Sequence, residues 1–254
     1  MIKQSVPHFF TSLNLLCGCF SIYFAYIFQF ETAFLFLLAG VFFDIWDGLL
    51  ARLLGVESEL GVQLDSMADM VTSGLAPGII LAQLFVLAGN HPLEVVLGWP
   101  INSVVEFIPW VFIGFVLPLG SAFRLARFNI NGSKKNHFIG LPTPAMAMFF
   151  GSIPLIIQHP NLLFLKPIVI SNPGLILMAV LFVILMNTNL ILFSFKSFST
   201  GIVDLILRIL TITITSVFIL FFGLGGISFA ILFYLVLNLL KISILKIGND
   251  SNIN

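Results

Sequence analysis

Apolar segments of about 20 residues recur along the whole of this 254-residue sequence. A helix of that length crosses the hydrocarbon core of a bilayer and satisfies its own backbone hydrogen bonds there. Charged residues make up 9% of the chain, whereas a soluble domain carries about 25%. The sequence therefore predicts an all-α integral membrane protein rather than a soluble domain.

The hydropathy pattern predicts eight transmembrane helices in a single polytopic domain, residues 1–254. They cover about residues 9–30, 32–54, 64–89, 106–127, 141–158, 171–193, 205–223 and 226–246. Turn-forming residues in segment 90–105 predict a loop outside the membrane.

The basic residues predict the orientation, because lysine and arginine favour the cytoplasmic side. With eight helices and a cytoplasmic N-terminus, ten of the 11 basic residues lie at cytoplasmic ends or loops, and Lys166 lies outside. Both termini are therefore expected in the cytoplasm. The net charge is zero, so no basic surface for nucleic acid is expected.

Four aspartates are concentrated at the predicted turn between the second and third helices. Asp44 and Asp47 are three residues apart, and Asp65 and Asp69 are four apart, so each pair shares one face of its helix. Ionisable groups inside membrane helices are costly and often functional. A short turn makes the two helices antiparallel, which predicts that the four carboxylates meet.

Carboxylates facing one another need compensating positive charge, and only Arg52 is close in sequence. Hard divalent cations such as Mg²⁺ or Mn²⁺ bind carboxylate and phosphate oxygens. Two such ions suit a displacement at phosphorus. A proton or cation pathway is the alternative that these residues leave open.

The complete motif is Asp44-x2-Asp47-Gly48-x2-Ala51-Arg52-x8-Gly61-x3-Asp65-x3-Asp69. It resembles the signature of the CDP-alcohol phosphatidyltransferases at every fixed position. The resemblance implies that the four aspartates bind two metal ions and that Asp69 also activates the acceptor hydroxyl. It further implies a CDP-lipid site formed by residues that are mostly small: Gly48, Ala51, Arg52 and Gly61.

Two later segments bear on the acceptor. Arg124-Leu-Ala-Arg127-Phe-Asn129 and Phe138-Ile-Gly140-Leu-Pro142-Thr143-Pro144-Ala145 resemble the phosphatidylserine synthase branch of that family. The resemblance, over about residues 8–150, implies transfer from CDP-diacylglycerol to L-serine, with Arg124 and Arg127 binding the serine carboxylate. It leaves residues 171–254 as accessory packing helices.

Several alternatives remain open at this level. Glycerol 3-phosphate is also an anion, so a phosphatidylglycerophosphate synthase is the second hypothesis. A cation transporter is the third, although acidic residues confined to two adjacent helices and the lack of a visible repeat favour an enzyme. The family resemblance also implies a homodimer in the cytoplasmic membrane. The predicted orientation, with the carboxylates clustered toward one face, places the active site facing the cytoplasm.

Overall fold

The protein is described by a computed structural model covering residues 2–97, 103–131, 140–188 and 202–250. The α-helices are α1 (Ile2–Tyr26), α2 (Phe30–Leu54), α3 (Glu59–Asp69), α4 (Ala76–Leu87), α5 (Val116–Asn131), α6 (Thr143–Gln158), α7 (Lys166–Val169), α8 (Asn172–Asn187), α9 (Ile202–Phe222) and α10 (Gly226–Asp250). A π-helical segment, Met70–Leu75, joins α3 to α4, and short 3-10 segments occupy Pro109–Phe115, Pro160–Leu165 and Gly223–Gly225.

Each predicted span overlaps a helical segment, although the end of span 171–193 lies outside the described residues. Within the described ranges, five helical segments are long and apolar enough to cross a membrane: Ser5–Tyr26, Phe30–Leu54, Glu59–Leu87, Pro109–Ile130 and Leu205–Leu240. A sixth results if Thr143–Gln158 and Pro160–Val169, bent by 106°, form one span. Eight crossings and cytoplasmic termini therefore stay predictions.

The segment Leu205–Leu240 contains a reversal of the chain at Gly223. The ring centroids of Phe218 and Phe229 are 5.9 Å apart, whereas 11 residues of straight helix would separate them by about 16 Å along the axis. Gly223 has a φ of +61°, a conformation that glycine adopts without steric penalty. We therefore treat α9 and α10 as two helices that pack against each other near this turn.

A β-hairpin interrupts the otherwise helical fold, where the sequence pattern predicted only a loop over 90–105. Strands β1 (Leu93–Leu97) and β2 (Ser103–Phe107) pair antiparallel, with Val95 opposite Val105. Valine favours extended backbone, whereas a hydropathy average reports apolar content and not conformation. The predicted span of about 106–127 corresponds to the helical segment Pro109–Ile130, which begins two residues after β2 ends.

Helix α6 lies at the centre of the core. Its Phe149 ring stacks on Phe182 of α8 with centroids 4.2 Å apart. The Ser152 hydroxyl is 2.5 Å from the hydroxyl of Ser228 in α10, and both residues are buried. These contacts join α8 and α10 to α6, and α6 in turn packs against α2, where a Cβ at Gly151 would lie 2.6 Å from the Phe34 ring.

Two glycines allow α1 and α2 to approach the π-helical segment closely. A Cβ at Gly18 would collide with the Thr72 hydroxyl, and one at Gly40 would lie 2.6 Å from Thr72 Cγ2. The Thr72 hydroxyl also donates to the backbone oxygen of Asn14 at 2.9 Å. Close packing through small residues is typical of helix association in membranes, and here it fixes three elements around the acidic cluster.

Candidate active site

A tight turn brings the end of α2 against the start of α3. Helix α2 ends at Gly55, whose φ of +61° is left-handed and whose N–H donates to the Arg52 carbonyl at 3.2 Å. Ser58 caps α3 by accepting from the Gly61 N–H at 3.1 Å. Glycine in a left-handed conformation is common after the last turn of a helix, and serine is common before the first turn. The local sequence therefore explains the reversal of the chain.

The turn brings the four predicted aspartates together. Carboxylate oxygens of Asp44, Asp47 and Asp65 all lie within 4.8 Å of one another. Asp69, one turn after Asp65 on α3, is close enough to Asp44 to form a side-chain contact. The four side chains therefore form a single acidic cluster, as the helix-face argument predicted.

The cluster fits a divalent cation. Asp47 is 4% exposed, and one buried oxygen of Asp65, Oδ1, accepts no hydrogen bond from the part of the chain that the structure describes. Burying a carboxylate oxygen that accepts no hydrogen bond costs free energy unless a cation binds it. Three mutually close carboxylates with a free oxygen among them are the donor set that Mg²⁺ or Mn²⁺ prefers.

The small residues of the motif have different surroundings. Apart from its chain neighbours and the backbone of its own helix, no atom of the described residues lies within 4 Å of a Cβ built on Gly48, so its missing side chain leaves open space beside Asp47. At Gly61, by contrast, a Cβ would lie 3.2 Å from the Ser58 hydroxyl, which explains glycine there by helix capping. Ala51 and the exposed Arg52 lie in the last turn of α2, on the same side of the protein as the cluster.

The structure places the two predicted acceptor arginines differently. Arg124, largely buried, has Asp69 as an electrostatic neighbour, and its Nη1 lies 3.5 Å from the Thr143 hydroxyl at the start of α6. Its Nε is buried without a hydrogen-bond acceptor among the described residues. Arg127 is exposed and donates to the Asn187 carbonyl at 3.2 Å, where it caps the end of α8.

The structure also reveals contacts that the sequence patterns did not predict. Helix α1 contributes two of them, because Thr11 donates to Asp47 at 2.6 Å and Asn14 donates to Asp69 at 3.3 Å. The sequence offered one signal for these contacts: Thr11 and Asn14 are polar, lie three residues apart on one helix face, and stand inside a mostly apolar span. Asn129 of the Arg124–Asn129 segment bonds the Ser66 hydroxyl at 2.9 Å, which ties α5 to α3 beside the cluster.

A π-helical segment begins directly after Asp69, at Met70. Pro77 lies near the start of α4 and has no N–H with which to continue the α-helical pattern. The preceding N–H, that of Ala76, instead reaches the Val71 carbonyl five residues back. Such π-segments recur at functional sites, and this one shifts the helix register between the acidic end and the apolar end.

A comparison with protein families decides the assignment. The family model described as CDP-alcohol phosphatidyltransferase matches residues 4–195. The chain belongs to this family. The match contains the acidic cluster, the arginine segment and the start of α6, so it spans all the elements that meet at the site.

Curated relatives refine the picture. The chain is 34% identical over 144 residues to a CDP-diacylglycerol–serine O-phosphatidyltransferase of Helicobacter pylori, which covers 56% of this chain and 54% of that protein. It is 33% identical over 143 residues to one of Bacillus subtilis, covering 56% and 71%. A Methanocaldococcus jannaschii protein of the same name is 31% identical over 144 residues, covering 57% of each chain. The chain thus spans about half the length of several relatives.

Proposed function

We propose that this protein transfers a phosphatidyl group from CDP-diacylglycerol to the hydroxyl of L-serine, giving phosphatidylserine and CMP. The observation that carries the proposal is the convergence of Asp44, Asp47, Asp65 and Asp69 in a chain of this family. Relatives named for the serine reaction share about a third of their residues with it over the matched half.

The donor half of the reaction follows from the cluster. Asp44, Asp47 and Asp65, together with Asp69, are proposed to hold two Mg²⁺ or Mn²⁺ ions, which supply positive charge to a pyrophosphate. The open space at Gly48 leaves room for the cytidine end of the donor. Arg52, Ala51 and Gly61, which lie in the same helix–turn–helix, complete the proposed CDP-lipid site.

Asp69 is proposed to act on the acceptor. Its carboxylate accepts the proton of the serine hydroxyl while the serine oxygen forms a bond to the β-phosphorus. The bond from that phosphorus to the bridging oxygen breaks, and CMP leaves with the bridging oxygen. A base positioned on a hydroxyl contributes about 10²–10⁴-fold to such a step.

The serine acceptor rests on Arg124 together with the relatives. Its guanidinium is largely buried, has Asp69 as an electrostatic neighbour and lies 3.5 Å from Thr143. A guanidinium binds a carboxylate through two parallel hydrogen bonds, so a serine bound there would carry its hydroxyl toward Asp69. Arg127, bonded to Asn187, is the weaker candidate for the same role.

Several wider features are proposed on the same basis. The enzyme lies in the cytoplasmic membrane as eight spans, with both termini and the active site facing the cytoplasm. Residues 8–150 form the catalytic part, residues 171–254 add packing helices, and the chain forms a homodimer. The many exposed apolar side chains of α9 and α10, such as Leu220 and Phe221, are consistent with contacts to lipid or a second copy.

The decisive measurement is CMP release by purified protein given CDP-diacylglycerol and Mn²⁺ or Mg²⁺, with L-serine compared against glycerol 3-phosphate. We expect serine-dependent release that EDTA abolishes and that falls about 10²–10⁴-fold in Asp69→Asn. Glu59→Gln is the matched control, because Glu59 is an exposed acid in the first turn of the same helix.

Release with glycerol 3-phosphate alone would refute the serine assignment while leaving the phosphatidyl transfer intact. No release with any alcohol would refute the enzyme and favour a cation-transport role for the acidic cluster.

A further inference from the structure

Helix α1 presents two buried polar side chains to the acidic cluster. Thr11 and Asn14 lie three residues apart on one helix face and are 6% and 0% exposed. The Thr11 hydroxyl is 2.6 Å from Asp47 Oδ2, and the Asn14 amide nitrogen is 3.3 Å from Asp69 Oδ1. Helices α2 and α3, which carry the four aspartates, thus each accept a hydrogen bond from α1.

We infer that Thr11 is a positioning residue of the metal site, orienting the Asp47 carboxylate so that its other oxygen faces Asp44 and Asp65. The inference rests on the proposed metal-dependent function and adds a residue outside the aspartate motif to it. Asn14 orients the Asp69 carboxylate in the same way, through the hydrogen bond from its amide nitrogen to Asp69 Oδ1.

The Thr11 hydroxyl donates its hydrogen bond to Asp47. Thr11 Oγ1 has two acceptors in reach, the Pro7 carbonyl at 3.1 Å and Asp47 Oδ2 at 2.6 Å, but a hydroxyl has one proton. Bonds from O–H to a carboxylate are shorter and stronger than bonds to a neutral carbonyl. The shorter contact is therefore the hydrogen bond that holds. Threonine in a helix is restricted to two χ1 rotamers, which limits the directions in which this hydroxyl can point.

The Asp47 carboxylate also interacts with the Gly48 backbone N–H on its own helix, and Thr11 adds the hydrogen bond that comes from another helix. The terminal torsion of aspartate is broad, and rotation would point both oxygens away from the other two carboxylates. A hydrogen bond to Oδ2 removes this freedom and satisfies one oxygen of a buried acid. Groups that orient metal ligands in this way typically change metal affinity by about 10–100-fold when removed.

The test is Mn²⁺ binding by the full-length protein in detergent, followed by the electron paramagnetic resonance signal of the free ion. Thr11→Val keeps the shape and removes the hydroxyl, and we expect the Kd for Mn²⁺ to rise about 10–100-fold. Thr11→Ser restores the hydroxyl and should bind close to wild type. In turnover, Thr11→Val should raise the Mn²⁺ concentration for half-maximal rate more than it lowers the rate at saturating Mn²⁺.

Ser12→Ala is the matched control. Ser12 is the next residue on α1, and its exposed hydroxyl bonds the His8 carbonyl at 2.8 Å, so its loss should leave the Kd unchanged. If Thr11→Val does not purify as a folded protein, Thr11→Ala makes the same test.

The outcomes separate this inference from the function on which it rests. Wild-type affinity in Thr11→Val or Thr11→Ala would overturn the positioning role alone. Weaker binding in those variants without CMP release by the wild type would support the positioning role and overturn the proposed reaction. No Mn²⁺ binding by the wild type would overturn both.

Discussion

Two arginines one helical turn apart in α5 offer a controlled test of the acceptor site. Replacing each arginine with lysine keeps the positive charge. Effects of that charge on membrane orientation and on the binding of anionic lipid therefore stay the same. A lysine at this position can keep only one of the two parallel hydrogen bonds to a carboxylate, and the bond lost in Arg124→Lys is worth about 1.5–3 kcal/mol. We therefore expect the KM for L-serine to rise about tenfold to a hundredfold, measured by CMP release at saturating CDP-diacylglycerol.

Arg127→Lys should change that KM little, because the Arg127 guanidinium is exposed and bonds the Asn187 carbonyl. Equal effects of the two substitutions on the KM for serine would contradict the assignment of Arg124.

Gly48 distinguishes a ligand site from a packing contact. A Cβ there meets no described atom within 4 Å outside its chain neighbours and its own helix backbone, and alanine in a helix is more stable than glycine by about 0.5–1 kcal/mol. Gly48→Ala should therefore keep or raise the thermal unfolding temperature in detergent while it raises the KM for CDP-diacylglycerol. A lower unfolding temperature with an unchanged KM would instead indicate that Gly48 serves helix packing.

At the scale of elements, the contact between α2 and the π-helical segment predicts a specific pair of variants. Gly40→Ala places a methyl 2.6 Å from Thr72 Cγ2, and such overpacking costs about 1–3 kcal/mol. Thr72→Ser removes that Cγ2 and keeps the hydroxyl that bonds Asn14. We expect Gly40→Ala to lower the unfolding temperature and the double variant to recover part of the loss.

This experiment is a double-mutant cycle, so the measured quantity is the interaction energy between the two positions. Additive effects of Gly40→Ala and Thr72→Ser would show that the close approach is relieved elsewhere.

The elements around the site differ in how far the sequence predicted them. The acidic helix pair was predictable because the spacings of Asp44 and Asp47, and of Asp65 and Asp69, select one face per helix, and a short turn leaves one arrangement. The π-segment after Asp69 was not, because it depends on Pro77 acting together with tertiary contacts to Thr72. The β-hairpin was missed because turn-forming residues in segment 90–105 indicate a segment outside the membrane and carry no information on whether its valine-rich parts pair as strands.

At the scale of the whole molecule, hydropathy predicted the helical segments better than the number of membrane crossings. Helix α8 is described for 16 residues, and α6 continues into a bent segment, so length alone does not decide whether either crosses. The different environments of Arg124 and Arg127 likewise depend on where α6 and α8 pack. Spacing along α5 carries no information about those neighbours.

The orientation of the whole molecule can be tested with two glutamates at opposite ends of the spans. Glu57 lies in the turn between α2 and α3, and Glu94 lies in strand β1 of the hairpin. Both are exposed, so a cysteine at either position should react with a membrane-impermeant maleimide where it faces the reagent. Cys17→Ala and Cys19→Ala, made together, remove the two native thiols.

If the basic residues set the orientation, Glu94→Cys should be labelled in intact cells or spheroplasts and Glu57→Cys only after the membrane is permeabilised. That pattern would place the acidic cluster, whose aspartates are 8 to 13 residues from Glu57 in the sequence, at the cytoplasmic face, where a soluble acceptor reaches it. The reverse pattern would put the cluster outside and would remove the basis for a cytoplasmic serine acceptor. Labelling of both positions after permeabilisation is the internal control for reactivity.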